Sequence, residues 1–363
     1  MRDYELSELA VVIPSRNRQK FLLRSITFWS KTNAVIYIVD GSKKAISTKK
    51  ILNFSENIKY YHSRKNLSER MTFIASIIKE PFSCLVGDDE FLIPSSLKSC
   101  INYLKKNEDY VSCIGRSVAF GFNKKNKKIM GCLSYPEMES LNLSQKEPSE
   151  RLKYHFKNYT PSQIFSVCKS KEWKIGMESL RVEFGFFAQM EMQFELTLSY
   201  SGKSLVIPEL MLLRSLENDI IIDTEPGLTS GVGLDKFWRN KNFSIEKEKF
   251  LFHMIEILKK VSTQNHKKIK KDIVDGIVCF CEFHDEYLIR TKQIPKKRIF
   301  DPLKKLLPIK FKNFIKKLIR PEKVKGLNLS LDKTLDDLSK SSVRINREEL
   351  DEIVLMIRKF HEG

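Results

Sequence analysis

Three short runs of apolar, largely β-branched residues stand out near the start of the chain: 9–15 (LAVVIPS), 34–40 (AVIYIVD) and 82–87 (FSCLVG). They are continuous rather than alternating, the pattern of strands buried on both faces. The intervening stretches carry apolar residues at helical spacing. Residues 20–31 place Phe21, Leu22, Ile26 and Trp29 on one stripe, and residues 67–79 do the same with Leu67, Met71, Ile74, Ala75 and Ile78. Strand, helix, strand, helix, strand predicts βαβ units and a mostly parallel sheet flanked by helices.

Further along, 95–106 reads as a helix, 110–122 and 127–133 as a strand pair turning at Asn123–Asn126, 149–157 as a helix and 162–168 as a strand. Residues 183–201 carry Phe186, Phe187, Met190, Phe194 and Leu198 at helical spacing, and Gly202 ends that helix. A strand at Ser204–Ile207 then stops at Pro208. The Gly-rich stretch 224–233 marks a border, after which 244–262, 266–291, 300–320 and 346–361 read as helices. The expected organisation is α/β over residues 1–225 followed by a helical region over 226–363.

In open parallel sheets, ligands bind outside the carboxyl ends of the strands. Three polar groups lie there: Ser15-Arg16-Asn17-Arg18, Asp40-Gly41-Ser42 and Asp88-Asp89-Glu90. All three should converge on one crevice. Adjacent carboxylates repel one another, and a divalent cation removes that cost. Mg²⁺ or Mn²⁺ held by one or two carboxylates and substrate phosphates is the usual arrangement. An acidic surface loop is the plainer reading of the acids alone; their place beside two other strand-end groups favours the cation. Asp40 suits a base edge or a ribose hydroxyl, although Asp-Gly is also a turn signal. Arg16 and Arg18 suit donor phosphates.

Composition narrows the class. With 42% hydrophobic and 30% charged residues, the chain is expected to fold. The N-terminal MRDYELSELAVVIPS lacks a basic n-region and a cleavage site, so no secretory signal is expected, and no apolar run is long enough to span a bilayer. Seven irregularly spaced cysteines fit reduced thiols and a cytoplasmic location. Cys279, Cys281 and His284 lack the second ligand pair of a zinc site and read as a helix interior.

The runs VVIPSRNR, IVDGS and VGDDEFLIP together resemble the donor-binding half of family-two inverting glycosyltransferases with the GT-A fold, in particular bacterial relatives with an Asp-Asp-Asp-Phe motif. The resemblance covers roughly residues 9–220. It implies that Pro14, Ser15 and Arg16 line the nucleotide pocket and that Asp40 holds the uracil or ribose side of the donor. It implies too that Asp88 meets the ribose and that Asp89 and Glu90 bind metal. Within the stretch Asn66–Arg70 it places Arg70 near the nucleotide. Such enzymes need a base to take the acceptor proton, and the family keeps it on a helix ahead of a Gly, an apolar strand and a Pro. Glu191 and Glu195 both fit that block and share one helix face; the family's distance to the glycine favours Glu191, although Met190-Glu191 replaces the common Glu-Asp. Arg214 resembles the basic residue that approaches the donor phosphates. The implied activity is metal-dependent transfer from a nucleotide sugar, a UDP-sugar foremost, to a glycan or lipid-linked acceptor of bacterial surface polysaccharide or lipopolysaccharide. A nucleotidyltransferase would also gather acids around Mg²⁺, but VVIPSRNR is no Gly-rich phosphate loop. A non-catalytic basic binding module is the third class.

Net charge is +19. Residues 292–325 hold 13 Lys and Arg against Asp301 and Glu322, so one segment carries most of it. Phe311, Phe314, Ile315 and Leu318 fall on one face of a helix there, with lysines elsewhere. A basic amphipathic helix suits an anionic membrane surface, and a peripheral place on the inner face of the cell membrane; nucleic acid is the less favoured partner.

Overall fold

The structure is a computed structural model that describes residues 5–47, 55–135, 137–181, 187–218, 233–290, 327 and 329–362. The chain begins with β1 (Leu9–Ser15), α1 (Gln19–Trp29), β2 (Val35–Asp40), β3 (Ile58–His62), α2 (Leu67–Ile77), β4 (Phe82–Leu85), β5 (Phe91–Leu92) and α3 (Pro94–Lys106). It continues with β6 (Tyr110–Asn123), β7 (Lys128–Ser134), α4 (Pro148–Lys157), β8 (Val167–Lys169), α5 (Ser170–Ser179), α6 (Phe187–Ser201) and β9 (Lys203–Ser215). Beyond these come α7 (Leu234–Arg239), α8 (Ser244–Leu258), α9 (His266–Arg290), β10 (Leu329–Ser330), α10 (Leu331–Lys340) and α11 (Arg347–Glu362).

One ten-stranded sheet runs β10-β7-β6-β8-β4-β1-β2-β3, with β9 paired to β6 and β5. The β4-β1-β2-β3 half is parallel, and antiparallel pairs join β8 to β4 and β7 to β6. The continuous apolar runs follow from helices covering both faces. Val11 and Ile13 of β1 pack with Leu22, Ile26 and Trp29 of α1 and Leu97 and Ile101 of α3. The alternate residues Ala10 and Val12 pack with Met71 and Ile74 of α2 and Trp173 and Met177 of α5. This is the α/β arrangement expected from the sequence, with helices following the sheet.

Helix α6 lies between two cores. Met190, Phe194 and Leu198 face the sheet side, while Met192, Leu196 and Tyr200 join a helical core with Leu152, Phe156, Phe237, Phe250, Met254, Ile269 and Ile273. Gly202 follows it, where a Cβ would come 2.4 Å from Val111 Cγ1. Helices α10 and α11 return to the sheet: Leu331, Leu335, Leu350, Ile353 and Ile357 all enter the core of α1 and α3.

Several expectations need correction. The strand expected at 162–168 is confined to Val167–Lys169, because Gln163–Phe165 forms a 3-10 turn. The Gln163 side chain is buried there, donating to Ser204 Oγ at 2.9 Å and accepting from Ser199 Oγ at 3.1 Å. The strand expected to stop at Pro208 runs on to Ser215. Proline is tolerated because the β6–β9 register shifts there, between Val206 and Leu210, so no ladder N–H is required. Arg214 therefore lies within this strand. Strand β3 and helix α10 were not anticipated. Residues 183–186, 224–232 and 292–325 lie outside the described residues, and with them the amphipathic segment. All seven cysteines are free thiols. Among the described residues, no helix is long and apolar enough to cross a membrane.

Candidate active site

The sheet brings the three strand-end groups together. Because β1 sits between β2 and β4, Ser15 is the hinge of the arrangement. Its hydroxyl donates to Asp88 Oδ2 at 2.7 Å, and its carbonyl accepts from Gly41 N at 2.8 Å. Asn17 takes the left-handed conformation, φ 56°, which asparagine tolerates. Its backbone N–H donates to Ser42 Oγ at 2.7 Å, and its Oδ1 accepts from Lys43 N at 3.1 Å. The loops after β1 and β2 are thereby locked to each other.

Asp40 is fully buried. One carboxylate oxygen accepts from Ser42 N at 2.8 Å and the other from the Tyr60 hydroxyl at 2.6 Å. Its visible work is to hold the turn and to aim Tyr60, an aromatic group that no sequence motif marked. Arg70 is also buried, 2% exposed. Its Nη1 donates to Val39 O at 2.7 Å and Ser15 O at 3.3 Å, and its Nε to Lys65 O at 3.1 Å. A Cβ on Gly41 would lie 2.6 Å from that guanidinium, so Gly41 leaves the space Arg70 occupies. Arg70 thus clamps the ends of β1 and β2 from beneath. Asn66 caps α2 in a reciprocal box with Glu69, which accounts for that part of the NLSER stretch. Pro14 and Arg16 lie half-buried at the same strand end.

Asp88, Asp89 and Glu90 form a tight turn closed by Glu90 N donating to Gly87 O at 3.2 Å. Gly87 is required: a Cβ there would lie 2.8 Å from Glu90 Oε2 and 3.2 Å from Asp89 Oδ1. Arg18 bridges the first two acids, 3.4 Å from Asp88 Oδ1 and 3.8 Å from Asp89 Oδ2. Asn218 donates to Asp89 Oδ2 at 2.6 Å, and Gly87 N to Glu90 Oε2 at 3.0 Å. Even so, burial first and Asp89's charge second push Asp88 up to about 7 and Glu90 up to about 8. Among the described residues no hydrogen bond reaches Asp89 Oδ1 or Glu90 Oε1, and no group of three or more His, Cys, Asp and Glu is arranged to hold an ion alone. That donor set fits a divalent cation sharing one or two carboxylates with phosphate oxygens.

Opposite the acidic turn runs β9. Phe91 pairs with Leu213 in antiparallel register, so one further step sets Arg214 opposite Glu90. Arg214 lies 5.0 Å over the Tyr135 ring, and Tyr135 itself has φ 51°, an uncommon conformation for a bulky residue. The field of Arg214 lowers the proton affinity of both Glu90 and Glu191, so it serves both acids.

The two candidate glutamates of α6 are separated by their surroundings. Glu195 is wholly buried, and His155 Nε2 lies 3.1 Å from its Oε2. Glu191 is half-buried on the side of Arg214 and Glu90. Removal from water, then the charge of Glu195, push Glu191 up to about 8 against the pull of Arg214. A carboxylate with that proton affinity is suited to general-base chemistry near neutral pH. The sequence reading missed Tyr60, Tyr135, His155 and Asn218; each is single and unmotived in sequence and gains meaning only from what folds against it.

Residues 10–166 match the glycosyl transferase family 2 model. No curated protein matches the chain. Among solved structures it is similar to S. aureus TarS at 12% identity and TM-score 0.42, over 77% of this chain and 55% of that one. It is similar also to TarS 1-349 in complex with UDP, at 12% identity and TM-score 0.42 over 81% and 94% of the two chains. For TarS 1-349 in complex with UDP-GlcNAc the values are 10% and 0.43 over 77% and 91%. The chain thus spans little more than half the length of the first of these TarS structures. The match to glycosyl transferase family 2 thus falls on residues 10–166, which hold all three strand-end groups on the helix-flanked, largely parallel half of the sheet.

Proposed function

We propose that the protein is a metal-dependent inverting glycosyltransferase that moves a sugar from a nucleotide-sugar donor, a UDP-sugar foremost, to a hydroxyl of a glycan or lipid-linked acceptor. One observation carries the reading: the ends of β1, β2 and β4 converge, with Ser15 bonded to both Asp88 and Gly41, and β9 sets Arg214 opposite Glu90 where its field also reaches the half-buried Glu191. In a single displacement the acceptor oxygen attacks the anomeric carbon, the bond from that carbon to the donor diphosphate breaks, and Glu191 takes the acceptor proton. Asp89 and Glu90 would hold the cation, which when bound neutralises the leaving diphosphate. Arg214 adds positive charge on the same side. Asp40 and Tyr60 shape the base and ribose pocket, and Asp88 is held towards it by Ser15.

A thermal-shift series with UDP, GDP, CDP and dTDP, with and without Mn²⁺ or Mg²⁺, tests this directly. Binding to the native state raises the melting temperature by mass action. A cation-dependent rise with one nucleotide supports the reading and names the base; no rise with any of them overturns it. Asp89→Ala should remove both the shift and transfer while the protein stays folded.

The strongly basic segment 292–325 supports attachment to an anionic inner-leaflet surface, where lipid-linked acceptors lie. Co-sedimentation with anionic liposomes at physiological salt is the expected outcome, and loss of it on neutralising the lysines of 304–317. Absence of co-sedimentation removes the membrane from the account.

A further inference from the structure

Behind the acidic turn lies Arg24 of α1, 5% exposed. Its Nη2 donates to the backbone carbonyl of Asp89 at 2.9 Å and pairs with Glu217 Oε2 at 2.8 Å. The guanidinium lies among three rings, 5.0 Å from Phe21, 5.1 Å from Phe91 and 4.5 Å from Phe360. Glu217 is the next link, its side chain 3% exposed, and its other oxygen meets His361 Nε2. The His361 ring stacks on Phe122 at 4.4 Å and 5°. Phe360 and His361 both belong to the last turn of α11, far in sequence from everything else here. The neighbouring Asn218, one residue past Glu217, donates to Asp89 Oδ2 at 2.6 Å. One connected chain therefore runs from α11 through Glu217 and Arg24 to the main chain of the acidic turn, and a side branch reaches its carboxylate.

We propose that the last turn of α11 is a positioning element of the donor site: His361 and Phe360, acting through Glu217 and Arg24, fix the Asp89 main chain so that the acidic turn holds its cation-binding geometry. None of these four residues is assigned contact with donor or acceptor. Burial raises the cost of any break in the chain, because Arg24 and Glu217 cannot turn to water instead. The network restrains the turn at the Asp89 carbonyl and, through Asn218, at its carboxylate, as second-layer partners of metal ligands commonly do. The inference rests on the donor-site reading above, since it concerns the geometry of that same turn.

The test titrates full-length protein with UDP in the presence of Mn²⁺. His361→Ala should weaken nucleotide affinity by at least about tenfold, the usual size of an outer-layer effect. In transfer assays the loss should appear in donor KM more than in kcat. His361→Lys, which gives Glu217 a hydrogen-bond donor again, should recover much of the affinity, a rescue that mere packing would not give. Phe360→Leu keeps apolar volume but removes the ring from Arg24, and should weaken binding in the same direction should His361→Ala fail to fold. Affinity within twofold of wild type in both His361→Ala and Phe360→Leu, while Asp89→Asn abolishes binding, overturns the positioning role and leaves the donor-site reading intact. Absence of Mn²⁺-dependent binding in the wild type overturns both.

Discussion

At the residue scale, the two glutamates of α6 show how surroundings divide labour between identical side chains. They share a helix face, yet one is shut in with His155 and the other is half-buried within the fields of Arg214 and Glu90. As the proposed base, Glu191 replaced by Gln should lower kcat by about 10²- to 10⁴-fold, with little change in donor KM. Glu195→Ala should instead act on stability, costing about 3 kcal/mol because it strands a buried partner, which denaturant unfolding would show. Equal losses of kcat in Glu191→Gln and Glu195→Gln would defeat this division. The pH profile gives a second check. Burial and the charge of Glu195 raise Glu191 to about 8, and only the deprotonated form accepts a proton. Transfer should therefore rise with pH through that value and level off above it, a limb that disappears from the residual rate of Glu191→Gln. A profile flat from about pH 6 upward would assign the base elsewhere.

At the element scale, function depends on what strand ends and turns bring together. Gly87 is the sharpest case. Replacing it with Ala places a methyl group 2.8 Å from Glu90 Oε2, so the carboxylates must move although the strands need not. Gly87→Ala should keep its circular dichroism spectrum and lose cation-dependent nucleotide affinity by at least about tenfold; retained affinity would show that the acidic turn tolerates displacement. The same scale explains what was legible in sequence. Strands β1, β2 and β4 announce themselves because both their faces are buried, and the polar residues at their ends follow directly. Strand β3 did not: Ile58 to His62 lie at the sheet edge, mostly half-buried, with no strong apolar run. Nor did β9 beyond Pro208, whose continuation depends on a register shift in its partner. Arg24, Glu217 and His361 carry no motif and lie on three separate segments, so only the packing of α11 against α1 and β6 puts them in line. Arg70 was expected near the nucleotide; its place beneath Gly41, bonded to main-chain carbonyls, reflects a packing relation that sequence spacing does not encode.

At the scale of the whole molecule, charge is distributed against itself. The chain is strongly basic, yet its described site holds three carboxyls raised well above their ordinary values: Asp88 about 7, Glu90 about 8 and Glu191 about 8. Burial leads in all three, followed by the charge of a neighbouring acid. Their values in the unfolded chain lie near 3.8 and 4.5, so between those values and about 7–8 the folded protein holds more protons than the unfolded one. Stability must then fall as pH rises through that window. The ligand-free protein should melt at a lower temperature at about pH 8 than at about pH 6, once other titrations are matched by an Asp88→Asn, Glu90→Gln control in which the fall is smaller. A nucleoside diphosphate with Mn²⁺ should act in the opposite sense. A cation competes with protons for the same oxygens, so its stabilising shift should grow over the pH range in which the free protein weakens. A shift that shrinks with rising pH would mean that the acidic turn binds its ligand protonated, and would remove the cation from the donor site. Opposed slopes would tie this buried cluster of carboxyls to the proposed ligand, because the groups that weaken the free protein as they ionise are the ones the cation would engage.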